Sequence, residues 1–267
     1  MCRWAAYLGP ETFLEAVVSA PRQSLIAQSQ HALRGKAETN GDGFGIAWYG
    51  YHPEPGLYRD ILPAWSDPNL RNLARHVRSN LFLAHVRRST GTASNRSNCH
   101  PFVVGRWSFM HNGEIGGYEN VRQRLDRLLP EELYHYRVGT TDSEVMFLLA
   151  LSYGLESDPQ GAIARMAGTV ETVAKRGGKT PYLRLTAAFS EGERLYAVRY
   201  SSDELAPSLC YRKAHTHGSR TVASEPLDAE QDDWQDVPPG SFAVFTAQEV
   251  SIQPFAPIVD PALLEVA

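Results

Sequence analysis

Cys2 is the residue of this sequence with the clearest chemical use, because it directly follows the initiator methionine. An aminopeptidase that removes Met1, as it does before a small second residue, would leave the Cys2 thiol beside its own α-amine. An α-amine has an unperturbed pKa of about 7.7–8.0 and can accept a proton near neutral pH. Cys2 could therefore be nucleophile and general base together; the alternative is a small residue without any function at position 2.

Two adjacent arginines, Arg87 and Arg88, lie at the end of a predicted strand. The strand covers residues 81–87 (LFLAHVR), and a loop of Ser, Thr and Gly follows it. Loops at strand ends often carry functional residues. A guanidinium donates two parallel hydrogen bonds to a carboxylate, so either arginine could bind the α-carboxylate of an amino acid. A surface ion pair with a nearby acid is the alternative for each of them.

Asn112 and Gly113 follow a predicted strand over residues 107–110. An Asn-Gly pair is the strongest short signal for a hairpin turn, which is its structural interpretation. In the functional interpretation, the Asn112 side-chain amide and the Gly113 backbone N–H point together at an oxyanion that develops during a reaction. One such donor is worth roughly 3 kcal/mol in an enzyme, so two would contribute strongly.

Asp142 lies in the segment TTDSE, which predicts the start of a helix. Thr141 and Glu144 have the spacing of a capping box, in which the threonine caps the helix and the glutamate reaches back. A carboxylate at the first helical position is favoured by the helix dipole, and this explains Asp142 structurally. The same carboxylate could also pair with the ammonium group of an amino-acid substrate.

The three cysteines, Cys2, Cys99 and Cys210, are widely spaced and odd in number, which argues against a disulfide framework and favours a reducing compartment. His215 and His217 have no Cys or carboxylate nearby at a metal-ligand spacing. We therefore expect no metal site and no cofactor.

The predicted elements form a succession of strands, then helices, then strands. Pro10 and Glu11 predict a short helix that ends at Pro21. The predicted strands are residues 40–49, 81–87, 102–104, 107–110, 182–189, 194–200, 209–212, 221–223, 242–245 and 250–252, and the predicted helices are residues 118–129, 142–153 and 160–175. This order favours two antiparallel sheets with helices packed outside over a doubly wound parallel sheet.

We expect one domain over residues 2–267, with the motifs in 2–144 and a less constrained tail after about residue 254. The net charge of -4 and the pI near 6.1 argue against nucleic acid as a partner. No signal peptide and no apolar run of membrane-spanning length is found, so a soluble cytoplasmic protein that does not bind membranes is expected.

In chain order, Cys2 and the segments NGDGFGIAWY (40–49), AHVRRSTG (84–91), FMHNGEI (109–115) and TTDSE (140–144) resemble the class II glutamine amidotransferases. The later segments SEPL (224–227) and VPPG (237–240) resemble the stand-alone branch of that family. The resemblance implies the N-terminal-nucleophile hydrolase fold, an α+β fold in which two antiparallel sheets form a four-layer αββα sandwich.

The resemblance also implies roles for individual residues. Cys2 would attack the γ-amide of glutamine or of a γ-glutamyl compound, with its α-amine as base, and form a thioester. Arg87 would bind the substrate α-carboxylate and Asp142 the α-ammonium. Asn112 and Gly113 would form the oxyanion hole.

Three further positions take roles from the resemblance: Thr90 would line the glutamine pocket, and Gly43 and Phe44 would approach the thiol. The sequence departs from larger family members at Arg88 and Gly91, where many carry Trp and His. These departures leave open whether glutamine itself is preferred.

Several alternatives remain open from the sequence. The chain either delivers ammonia to a separate protein or hydrolyses γ-glutamyl compounds, since no segment is long enough for a synthase domain. A non-catalytic domain that binds glutamine, as a sensor or a partner-binding module, is a second class. A redox protein that uses Cys2 and Cys99 is the third, and it leaves Arg87, Asn112 and Asp142 without a role.

Overall fold

Two antiparallel β-sheets form the centre of the molecule. The computed structural model describes residues 2–31, 39–89, 91, 93–212, 218–228 and 233–261. The strands are β1 (Arg3–Phe13), β2 (Phe44–Trp48), β3 (Gly56–Asp60), β4 (Arg78–Val86), β5 (Phe102–Val104), β6 (Trp107–Glu114), β7 (Arg184–Ser190), β8 (Leu195–Ser201), β9 (Cys210–Arg212), β10 (Arg220–Ala223), β11 (Trp234–Asp236), β12 (Ser241–Phe245) and β13 (Val250–Pro254). Within these ranges the first sheet has the order β11-β9-β10-β1-β4-β2-β3 and the second the order β13-β12-β8-β7-β6-β5.

Helices cover the outer face of each sheet. They are α1 (Glu15–Val18), α2 (Leu25–Gln30), α3 (Pro68–His76), α4 (Tyr118–Asp126), α5 (Glu131–Tyr134), α6 (Asp142–Ser152) and α7 (Pro159–Ala174). One apolar core lies between the first sheet and α1 to α3, a second between the second sheet and α4, α6 and α7, and a third between the two sheets. The expected α+β class and αββα sandwich are confirmed.

β1 carries Cys2 at its start and lies inside the first sheet between β10 and β4. Its first part is buried on both faces: Trp4 and Ala6 face the second sheet, and Ala5 and Tyr7 face the helices. A strand buried on both faces shows no alternation of apolar and polar residues. This explains why no strand was predicted at the start of the chain.

The helix predicted from Pro10 to Pro21 is wrong in its first half. β1 continues to Phe13, and α1 is a single turn. The register between β1 and β4 shifts between Leu8 and Thr12. This irregularity accommodates Pro10, which has no N–H to donate to a regular ladder.

Asn112 and Gly113 do not form the hairpin turn that their pairing suggested. Both lie inside β6 and pair with β7, Asn112 opposite Thr186 and Gly113 opposite Leu185. A Cβ atom on Gly113 would lie 1.9 Å from the carbonyl oxygen of Arg184. The glycine therefore permits the close approach of two strands.

The helix α6 begins where the capping box predicts. The Thr141 hydroxyl accepts a hydrogen bond from the Glu144 backbone N–H at 3.2 Å. Residues 143–150 of this helix are all buried, so its N-terminus is held firmly against the second sheet. Within the described ranges, none of the helices combines the length and apolar character that a membrane crossing requires.

Candidate active site

A cavity of about 790 Å³ opens where β1 starts and where β4 ends. Side chains or backbone from four elements line it: Cys2 before β1, Arg87 and Arg88 after β4, Gly113 on β6 and Asp142 at the start of α6. Residues that are far apart in sequence thus meet around one thiol. Four of the eight positions predicted to form the site are among them: Cys2, Arg87, Gly113 and Asp142.

The Cys2 thiol is half-buried and contacts the backbone of Arg88. The Arg88 N–H donates to Sγ at 3.4 Å, and the thiol donates to the Arg88 carbonyl oxygen at 3.5 Å. Burial raises the pKa of the Cys2 thiol, although the Arg88 N–H and the charge of Arg87 act in the opposite direction. The thiol is therefore protonated near neutral pH, and a base must remove its proton before it can attack.

The backbone of Cys2 is held by a buried ion pair. Arg3 Nη1 donates to the carbonyl oxygen of Cys2 at 2.9 Å, and Arg3 Nη2 lies 2.6 Å from Oε1 of Glu225. Both side chains are almost fully buried. Glu225 belongs to the SEPL segment that follows β10, so this segment helps to hold the residue that carries the thiol.

Glu225→Ala is expected to lower the free energy of unfolding by about 3–5 kcal/mol, because it leaves the Arg3 charge buried without its carboxylate. Denaturant unfolding of the purified variant measures this change. The control is Glu11→Ala, which removes an exposed ion pair with Arg78 and should cost less than about 1 kcal/mol. Equal effects of the two substitutions would contradict the role of the buried pair.

Arg87 is buried and is oriented by backbone and side-chain oxygens. Its guanidinium donates to the carbonyl of Asp42 at 3.2 Å and to the Ser89 hydroxyl at 3.3 Å. Its backbone N–H donates to the carbonyl of Gly43 at 2.7 Å. Gly43 has a φ of 114°, and a Cβ there would lie 2.6 Å from the Sγ of Cys99. Gly43 thus shapes the site by holding the backbone of Arg87.

Gly43 and Phe44 are not among the residues that line the cavity. The Phe44 ring lies in the core between the first sheet and its helices, 5.7 Å from the ring of Tyr58. The structure therefore does not bring the Phe44 side chain to the thiol. Thr90 falls outside the described residues.

The Asp142 carboxylate is pre-oriented at the N-terminus of α6. Its Oδ1 accepts from the Ser143 backbone N–H at 2.7 Å, and its Oδ2 accepts from the Ile115 N–H at 3.0 Å. An ionised carboxylate has about four acceptor positions, so these bonds leave capacity for a ligand. The negative charge faces the same cavity as the positive charge of Arg87.

Asn112 lies on the face of β6 that points toward the first sheet, as its neighbour Met110 does. Asn112 is 2% exposed, and its Oδ1 has no hydrogen-bond partner in the part of the chain that the structure describes. Gly113 is among the residues that line the cavity, and Asn112 is its direct neighbour on β6. A buried amide without a full set of partners is unusual in a folded protein.

Two buried histidines near the cavity were not predicted as site residues. The rings of His85 and His100 stack with centroids 4.3 Å apart, and His100 lines the cavity. Burial lowers the pKa of His85 to about 3 and that of His100 well below its ordinary value, so both rings are neutral at pH 7. A thiolate paired with a charged imidazole is therefore not favoured here.

No disulfide or metal cluster is present among the described residues. Cys2, Cys99 and Cys210 are free thiols, and the Cys99 thiol donates to the carbonyl oxygen of Asp60 at 3.4 Å. No group of three or more His, Cys, Asp or Glu side chains in the described ranges is arranged to hold a metal ion. His215 and His217 lie outside those ranges.

Comparison with known proteins gives a consistent set of relatives. A family model described as "Glutamine amidotransferases class-II" matches residues 21–217. The Saccharomyces cerevisiae protein described as "Probable glutamine amidotransferase DUG3" is 31% identical over 95% of this chain and 84% of its own length. The γ-glutamyl-hercynylcysteine sulfoxide hydrolase of Mycolicibacterium smegmatis is 32% identical over 89% of this chain and 92% of its own length.

Solved structures agree with these sequence matches. A glutamine aminotransferase class-II domain protein from Silicibacter pomeroyi has a TM-score of 0.79 and 47% identity, and covers 96% of this chain and 100% of its own. The glutamine phosphoribosylpyrophosphate amidotransferase of B. subtilis has a TM-score of 0.60 at 15% identity, covering 97% of this chain and 50% of its own, and supports the fold alone. The family match begins after Cys2, so the assignment of the nucleophile depends on the geometry of the site.

Proposed function

The chain belongs to the class II glutamine amidotransferases, and we propose that it hydrolyses a γ-glutamyl amide through a thioester on Cys2. The observation that carries this proposal is the convergence of one thiol, one buried guanidinium and one pre-oriented carboxylate on a single cavity. The guanidinium and the carboxylate have the charges needed for the two ends of an α-amino acid.

In the first step, the free α-amine of Cys2 takes the proton of the thiol, and the sulfur attacks the γ-carbonyl carbon. The carbonyl electrons move to oxygen, and the negative charge is stabilised by donors from Asn112 and Gly113. The intermediate collapses as the carbon–nitrogen bond breaks. The ammonium group of Cys2 returns the proton to the nitrogen, and ammonia or an amine leaves.

In the second step, the α-amine of Cys2 accepts a proton from water, which attacks the thioester. The carbon–sulfur bond breaks, the sulfur regains its proton, and glutamate leaves. The raised pKa of the Cys2 thiol fits this scheme, because a protonated thiol requires a base within reach of its own proton.

Arg87 and Asp142 bind the substrate in this proposal. Asp142→Asn is expected to lower kcat/KM about 10- to 100-fold, chiefly through KM, since it removes a hydrogen bond between charged groups worth about 1.5–3 kcal/mol. Steady-state kinetics with a γ-glutamyl substrate measure this loss. The exposed Glu193 provides a control, because Glu193→Gln changes the same charge far from the cavity. A similar loss in both variants would remove Asp142 from the substrate site.

The test of the proposed function combines intact mass with product analysis. The purified protein is incubated with a glutamine analogue that alkylates thiols, and separately with glutamine and γ-glutamyl compounds. Loss of Met1, one adduct on Cys2 and release of glutamate would support the proposal. An unmodified thiol and no glutamate would favour a domain that only binds glutamine.

A further inference from the structure

The cavity has more room than a γ-glutamyl group requires. At about 790 Å³ it lies toward the upper end of the range of roughly 300–1000 Å³ that larger ligands occupy, and glutamine is a small ligand. Beyond the thiol it continues along the end of β6 and the start of α4, past Glu114, Tyr118 and Arg122. This additional space can accept the amine that leaves when the γ-amide is cleaved.

Arg88 stands beside the thiol, on the wall of this cavity. Both of its backbone polar groups contact Cys2 Sγ, its side chain is half-buried, and the residue lines the cavity. Its guanidinium makes no hydrogen bond or ion pair with other residues in the described ranges. By contrast, the cavity-lining Arg122 is 41% exposed and has Asp126 as a partner at 3.4 Å.

The chemistry of the first step fixes where the leaving amine must lie. Reacting atoms in a bound substrate are about 3–3.5 Å apart, so the γ-carbon lies next to Sγ and the scissile nitrogen is one bond further. The Arg88 backbone nitrogen is itself 3.4 Å from Sγ. A substituent on the scissile nitrogen therefore lies within reach of the long Arg88 side chain.

We infer that Arg88 determines substrate specificity by binding a carboxylate on the leaving amine. The preferred substrates are then γ-glutamyl derivatives of α-amino acids, in which a carboxylate lies two bonds from the scissile nitrogen. A planar guanidinium pairs with such a carboxylate through two parallel hydrogen bonds. Arg87 binds the carboxylate of the glutamyl part, so the two adjacent arginines bind the two carboxylates of one dipeptide. This inference rests on the proposed function.

The experiment compares γ-glutamylglycine with γ-glutamylmethylamide, which differ only by the carboxylate on the leaving amine. The wild-type protein should favour the dipeptide about 10- to 100-fold in kcat/KM. In Arg88→Met, which keeps an unbranched side chain but removes the charge and the hydrogen-bond donors, this ratio should fall to near 1. Arg88→Lys should give an intermediate ratio, because an ammonium cannot form the paired hydrogen bonds. The ratio is independent of the fraction of folded enzyme.

Arg122→Met is the matched control, and its ratio should remain that of the wild type because this guanidinium already has an acidic partner. Equal rates on the two compounds in the wild type, or an unchanged ratio in Arg88→Met, would overturn the inference while hydrolysis of glutamine kept the proposed function intact. If the ratio falls to near 1 in Arg122→Met and not in Arg88→Met, then Arg122 binds the carboxylate of the leaving amine. This result would also overturn the inference. If the wild type hydrolyses neither compound nor glutamine, the proposed function fails and the inference with it.

Discussion

Cys2→Ala is expected to reduce the release of glutamate from γ-glutamyl substrates by a factor of about a thousand or more, because it removes the atom that forms the proposed thioester. Alanine is small, so removal of Met1 and exposure of the α-amine are retained. The half-buried thiol makes only weak contacts with the Arg88 backbone, so the fold should be unchanged. Glutamate release and a thermal unfolding curve, measured on the same preparation, test both statements.

Cys210→Ala is the matched control for this experiment. Cys210 is buried in β9, where its thiol donates to the carbonyl oxygen of Ala223. Cys210→Ala makes the same chemical change as Cys2→Ala, but away from the cavity. It should leave turnover near the wild-type level. Turnover of Cys2→Ala within tenfold of wild type, with a folded protein, would refute the thioester mechanism.

Asn112→Ala is expected to lower kcat by about 10²–10³-fold with little change in KM, because an oxyanion donor acts on the transition state and not on the bound substrate. The stability should change little, since the buried Oδ1 has no partner to lose among the described residues. Full progress curves at saturating substrate provide kcat and KM separately.

The control is Asn80→Ala, an exposed position on β4 that is outside the cavity lining. If the loss of kcat in Asn112→Ala matches the loss of folded protein and KM is unchanged, the amide has only a structural role. In that case the oxyanion would depend on backbone N–H groups such as that of Gly113.

Local signals in the sequence predicted part of the site. Thr141 and Glu144 act within one turn of helix, so the start of α6 and the placement of Asp142 follow from four consecutive residues. Arg87 was predicted at the end of a strand because LFLAHVR has the length and composition of a buried strand. These features depend on neighbours in the chain.

Other features depend on contacts that no local pattern reveals. The strand β1 is hidden because both of its faces are buried, and Asn112 with Gly113 lies in a strand because β7 pairs with it. The stacked rings of His85 and His100 meet only in the folded state. A single domain over the whole chain and a separate protein that accepts ammonia stay predictions.

The anchoring of Cys2 by Arg3 and Glu225 has a consequence for the order of events during synthesis. β1 pairs with β10, and the guanidinium that donates to the carbonyl of Cys2 is itself paired with Glu225, a carboxylate much later in the chain. A nascent chain therefore lacks this anchor of Cys2 until residue 225 has left the ribosome. Under the proposed function, we expect chains that end before residue 225 to hold their nucleophile less firmly.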